Sequence, residues 1–187
     1  MNISKKQKRA NKRALAFFEK VEPFSTYFSF PYTVVELCAG NGNVGKLFSE
    51  KAEVVFVDQR KVRGLDRVVS TMDQPTIFIQ DIRDYELPDK SAVVAVHACG
   101  YLTDIIIEKS VINRSPLAVI PCCYPTKSWS YDLKSPPDPR LLNYPKREDY
   151  IDTVRTRFLI ERGYDVTVTT IDKKITPMNT ILIGIPN

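Results

Sequence analysis

The sequence predicts an α/β fold built on a mostly parallel sheet. Three observations predict it: apolar runs of strand length alternate with helical patterns from residue 33 onward, a glycine-rich turn follows the first run, and the chain closes in a hairpin. With 187 residues, 43% of them hydrophobic, the chain can bury one sizeable core, which sets aside disorder and coiled coil.

Charge is concentrated at the start. Residues 1–20 carry Lys5, Lys6, Lys8, Arg9, Lys12, Arg13 and Lys20 against Glu19, which is +6 of a formal net charge of +5, so the rest of the chain sums to −1. Such a head suits a phosphate backbone or another polyanion; it also suits a solvated, partly disordered tail. Ala14, Phe17, Phe18 and Val21 recur at helical spacing up to Pro23, predicting a short amphipathic helix docked on the domain. Residues 1–30 are thus read as a basic helical extension and 31–187 as the domain proper, with a loop over 24–32.

TVVELC (33–38) reads as the first strand, NVGKLFSEKA (43–52) as a helix and EVVFVD (53–58) as the second strand. Gly64 and scattered charges leave only a short or irregular helix within 59–74. TIFIQD (76–81), SAVVAV (91–96) and PLAVIP (116–121) follow as strands, with a helix over 102–112; runs this continuously apolar are buried on both faces. Over 147–163, Tyr150, Ile151, Val154, Phe158 and Leu159 form one helical stripe ending at Gly163. YDVTVTTI (164–171) and NTILIGI (179–185) form the closing hairpin. No apolar run approaches the ~20 residues of a membrane span, and Ala14 to Phe18 is too short for a secretory signal. The expectation is a cytoplasmic chain whose four cysteines are reduced thiols.

The chemistry sits at the first turn. Gly40, Gly42 and Gly45 have GxGxxG spacing directly after a strand, which lets a ligand approach the backbone. Asp58 ends the second strand 18 residues beyond Gly40, placed to accept hydrogen bonds from ribose hydroxyls at the sheet's carboxyl edge. This predicts a nucleoside-containing cofactor, and the spacing alone suits a dinucleotide equally well. Each acid also has a local reading: Glu36 bonding turn amides, Asp58 ending a strand, Asp81 capping a turn.

With Glu36 four residues before Gly40, Asp81 after the third strand and a terminal hairpin, the sequence resembles the class I S-adenosylmethionine-dependent methyltransferases. The resemblance implies a Rossmann-like three-layer sandwich with a seven-stranded, mostly parallel sheet, order 3-2-1-4-5-7-6, last strand antiparallel. It implies S-adenosyl-L-methionine as cofactor, with Gly40, Asn41 and Gly42 lining the methionine portion, Asp58 the ribose, and Asp81 with Ile82 the adenine. Glu36, Cys38, Gln59 and His97 complete the implied cofactor-binding set. Cys38 stands where the usual motif has its first glycine.

Residues 97–104, HACGYLTD, followed by IPCCY (120–124), resemble the HxCGxxTD and CC motifs of the acceptor-stem tRNA 2′-O-ribose methyltransferases and their methyltransferase-like relatives, over about residues 33–124. That implies methyl transfer, with RNA and a tRNA ribose hydroxyl as the favoured acceptor. A small-molecule or protein methyltransferase and a non-catalytic S-adenosylmethionine-binding module stay open. No Asn/Asp-Pro-Pro-Tyr tetrad follows the fourth strand, which argues against methylation of an exocyclic base amine.

The candidate catalytic residues are His97, Asp104 and Asn179. His97, the sole histidine, has an ordinary pKa suited to general-base work, and its bland alternative is a satisfied residue that shapes the pocket. Asp104 is read as orienting a substrate hydroxyl or complementing a helix dipole; Asn179, at the mouth of the last hairpin, has a similar split. In the 3-2-1-4-5 order, Cys38, His97, Cys99, Cys122 and Cys123 share one sheet edge. Adjacent cysteines rarely reach one tetrahedral ion, so no metal is expected. Finally, 124–147 sets Pro125, Pro136, Pro137, Pro139 and Pro145 among Tyr124, Lys127, Trp129, Tyr131, Lys134, Arg140, Tyr144, Lys146 and Arg147, which reads as a nucleotide-clamping loop or a lid.

Overall fold

The computed structural model describes residues 4–122 and 147–187. The aromatic and basic loop expected over 124–147 and the thiol of Cys123 therefore fall outside the described residues, apart from the start of the helix at Arg147.

Seven strands form one sheet in the order β3-β2-β1-β4-β5-β7-β6. They are β1 (Thr33–Leu37), β2 (Val54–Asp58), β3 (Thr76–Ile79), β4 (Ser91–Cys99), β5 (Leu117–Cys122), β6 (Tyr164–Thr170) and β7 (Thr180–Pro186). The first five pair in parallel, while β7 runs antiparallel to both β5 and β6. The expected α/β architecture and strand order are therefore those of the protein.

Alternation along each strand divides the core in two. Val34 of β1, Phe56 of β2, Val94 of β4 and Ile183 of β7 point to one face, where α1 (Lys5–Val21), α2 (Gly45–Phe48) and α3 (Arg63–Val69) lie. Val35, Leu37, Val57 and Val119 point to the other, covered by α4 (Leu102–Ile112) and α5 (Arg147–Glu161). Central strands buried on both sides must be apolar throughout, which is why β4 and β5 carry no clean polar alternation.

The basic head is helix. Ser4 caps α1 by accepting the Gln7 amide at 3.2 Å, and the helix runs 17 residues, longer than the short element expected. Phe17 and Val21 are fully buried in the sheet core, each such burial stabilising by roughly 1.5–3 kcal/mol. Phe18 meets Phe48 edge to face at 4.9 Å between ring centroids. Residues 24–32 are not simply a loop, because Glu22–Tyr27 forms a 3₁₀ turn with Pro23 at its start.

Two other boundaries differ. The helix expected over 43–52 keeps only Gly45–Phe48, since the Ser49 hydroxyl donates to the Lys46 carbonyl at 2.8 Å and the chain turns back into β2. The fourth strand, expected to end at residue 96, continues to Cys99 through a bulge: Val96 pairs with Ile120 and Ala98 with Pro121, leaving His97 as the extra residue at φ +65°. Gly163, at φ +77°, ends α5 as its sequence position predicts.

Candidate functional site

The turn after β1 is shaped by backbone conformations that side chains resist. Cys38 (φ +56°), Gly40 (φ +52°) and Gly42 (φ +70°) all lie in the left-handed region. The cysteine thus takes the conformation its glycine counterpart would take. Burial pushes the Cys38 thiol up to about 12, so it is a protonated wall residue.

The three motif glycines serve two purposes. A Cβ on Gly40 would meet nothing nearer than the Cys38 carbonyl at 4.0 Å, so the turn is bare there. One on Gly42 would reach Leu65 Cδ1 at 2.7 Å, and one on Gly45 would reach Phe56 Cε1 at 2.6 Å. Gly42, expected to line the methionine portion, instead lets the turn pack on α3 and β2. The sequence signal missed Gly64, whose Cβ would run into the Asn41 side chain.

Two acids hold the turn. Glu36, buried inside β1, accepts the Gly45 amide at 2.8 Å on Oε2, and burial raises its carboxyl to about 8 against the pull of the Gly45 and Val44 amides. It therefore stands as the buried acid of the turn. Asp58 accepts the Gly40 amide at 2.8 Å on Oδ2 and the Arg60 amide at 3.0 Å on Oδ1. It stays partly exposed at the end of β2.

Asp81 forms a turn of its own. Its Oδ1 accepts the Arg83 amide at 2.9 Å and its Oδ2 the Arg83 guanidinium at 2.6 Å, which together hold the carboxyl down to about 2. Gln59 Nε2 reaches Asp81 Oδ2 at 3.4 Å, bringing these two expected site residues together. Ile82 is buried in the core on the α4–α5 face.

A cavity of about 320 Å³ opens beside the turn, within the size range of small-molecule sites. Glu36, Cys38, Gly40 and Asn41 line it on the β1 side, Val96 on the β4 side, and Ala10, Arg13 and Ala14 of α1 close it. Asp58 and Asp81 lie outside this lining. The helix wall, and Arg13 within it, was invisible to motif reading, where Arg13 counts only as one more basic residue.

The candidate catalytic residues are not assembled as expected. Burial, with the Arg13 charge second, lowers His97 to about 4, well below the near-neutral value expected; its Nε2 lies 3.2 Å from Thr176 Oγ1. Asp104 is fully buried in α4, with Oδ1 accepting Arg155 Nε of α5 at 2.8 Å. That ion pair replaces the expected substrate contact. Thr103, its neighbour in the HACGYLTD stretch, donates to the Ala98 carbonyl at 2.7 Å, so Thr103 braces the β4–α4 turn while Asp104 ties α4 to α5. Asn179 donates to the Ile171 carbonyl at 2.8 Å and closes the hairpin mouth. Cys99 and Cys122 lie side by side with 3.7 Å between sulfurs, and no cluster of metal-ligating side chains forms among the described residues.

Comparison with known proteins adds fold rather than identity. No family model matches the chain. A glutathione S-transferase C-terminal domain-containing protein of Xenopus laevis is 31% identical over 98 residues, 49% of this chain and 16% of that protein. Its Homo sapiens counterpart is 25% identical over 190 residues, 82% of this chain and 30% of that protein. The chain thus spans less than a third of the length of these curated relatives. Magnesium protoporphyrin IX methyltransferase from Synechocystis PCC 6803, solved with bound SAH (S-adenosylhomocysteine), superposes with a TM-score of 0.63 at 11% identity, covering 100% of this chain and 90% of that one. An rRNA methylase from Streptococcus thermophilus gives 0.60 at 13% identity over 90% and 94%. The chain has the fold of these enzymes.

Proposed function

We propose that this chain is an S-adenosylmethionine-dependent methyltransferase acting on RNA, with a tRNA ribose hydroxyl as the favoured acceptor. The carrying observation is the bare turn at Gly40, bonded to the carboxylate of Asp58 at the carboxyl edge of the sheet. Solved relatives of the same fold that carry SAH or S-adenosylmethionine support the choice of donor over a dinucleotide.

The residues present fit that donor. Bound there, it would supply an electrophilic methyl group on a sulfonium. Gly40 and Asn41 would receive the methionine portion, the free lone pairs of Asp58 the ribose hydroxyls, and the Gln59–Asp81 pair the adenine end. Methyl transfer to an oxygen is an in-line displacement, so the chain's main contribution is positioning. His97, neutral and bonded to Thr176, would brace the end of β4 next to the lining residue Val96 rather than abstract a proton.

Support for RNA comes from α1. Lys5, Lys8, Arg9 and Lys12 are exposed, and at 3.6 residues per turn they fall within about 100° of the helix circumference, beside the cavity. This strip is a track for a phosphate backbone. Transfer of tritiated methyl groups to bulk tRNA, compared with a small-metabolite pool, tests the reading. Label in tRNA ribose is expected; label confined to small metabolites overturns the RNA assignment.

A further inference from the structure

Among the described residues, the wall that α1 contributes to the cavity holds a charge without a counter-charge. Arg13 is half-buried, with its side chain in the lining beside Cys38, Gly40 and Asn41. Among the described residues no carboxylate pairs with its guanidinium. Among the described residues the one carboxyl group of the lining is Glu36, which is committed to the Gly45 amide and, with its pKa at about 8, is largely protonated at neutral pH. Among the described residues the cavity wall therefore carries its positive charge at Arg13.

The position is built. Ala10 and Ala14, one turn apart, are small enough to let the helix close on the turn, and the buried Phe17 and Val21 anchor it to the sheet. The other exposed cations of α1 point to solvent, whereas Arg13 sits where the apolar and basic faces of the helix meet and enters the cavity. Its charge is felt at His97 on β4 and at Cys122 on β5, so it lies on the side of β1 opposite to Asp58 of β2. A guanidinium offers a planar fork of donors that matches a carboxylate.

We propose that Arg13 is the anion-binding residue of this site, pairing with the α-carboxylate of the donor's methionine portion. The inference rests on the donor reading above. It makes α1 a part of the donor site rather than an appendage, and it separates Arg13 from the exposed basic residues that face RNA.

The test is an equilibrium titration of the full chain with SAH and with decarboxylated SAH, which lacks only the anionic group. Wild-type protein should bind SAH at least about tenfold more tightly. Arg13→Gln should lose that preference by weakening SAH alone, while Arg13→Lys, keeping a charge, should retain part of it. Equal binding of the two ligands by wild-type protein, or an undiminished preference in Arg13→Gln, overturns the assignment of Arg13 while leaving the donor reading intact. Wild-type protein that binds neither ligand overturns both. Arg13→Gln that binds SAH normally but loses a 5′-phosphorylated oligonucleotide would give the guanidinium to the acceptor, and would likewise overturn the proposal.

Discussion

The carboxylate of Asp58, at the end of β2, accepts the amide of Gly40, in the turn after β1, at 2.8 Å. One acid thus fixes the shape of the turn and leaves lone pairs at the carboxyl edge for a sugar. Hydrogen bonds to charged groups are worth about 1.5–3 kcal/mol. Asp58→Ala is expected to weaken SAH by roughly ten- to a hundredfold, and Asp58→Asn, which can still accept the Gly40 amide, by less. Isothermal titration of both variants checks the order.

Glu36 makes stability depend on pH. Its carboxyl is raised from 4.5 to about 8 by burial, so between those values the unfolded chain has lost a proton that the folded chain keeps. Stability should therefore fall as pH rises through this window, by at most about 1.4 kcal/mol per pH unit. Glu36→Gln keeps an acceptor for the Gly45 amide and removes the titration. Urea unfolding at a series of pH values should show the slope flattening in the variant.

Asp104 is expected to matter for folding and not for ligand binding. Arg155 also pairs with Asp152 at 3.2 Å, so removing the Asp104 carboxylate weakens a buried network rather than orphaning the guanidinium, at a cost below the about 3–5 kcal/mol of a buried pair broken outright. Asp104→Asn should lower the denaturation midpoint accordingly while the folded fraction binds SAH as the wild type does.

His97 is the sole histidine, so its ring protons give one unambiguous titration curve. Burial is the larger cause of its lowering to about 4 and the Arg13 charge the smaller. Arg13→Gln should raise the value while leaving it below 6.5, as followed by proton NMR. No change would mean that the guanidinium is not near the ring.

The basic strip of α1 predicts salt dependence. Because α1 anchors Phe17 and Val21 in the core, neutralisation tests it better than truncation. Replacing Lys5, Lys8, Arg9 and Lys12 with Gln should weaken tRNA binding and flatten its salt dependence, each lost phosphate contact lowering the log–log slope by about 0.7–0.9. SAH affinity should not move.

The fold was legible because doubly buried strands such as VVFV and AVVAV leave no polar alternation to confuse, and because the Gly40 turn and Asp58 carry their chemistry in their spacing. What escaped depends on contacts distant in sequence. Nothing local tells that Asp104 meets Arg155, 51 residues away, or that Arg13 enters a cavity opened by a turn 27 residues later. Residue type also misled at Gly42, where the absent side chain makes room for Leu65 and Phe56 and not for a ligand. His97 lies in a bulge inside β4 rather than beyond its end and lost its expected basicity, because an imidazole takes its pKa from its surroundings.

The central claim is that the Gly40 turn and Asp58 hold a sulfonium donor. Calorimetric titration of the purified chain with SAH, beside an identical titration with NADH, tests it most directly. Saturable heat with SAH and none with NADH is the predicted result; a flat SAH trace alongside clear NADH binding would contradict the account.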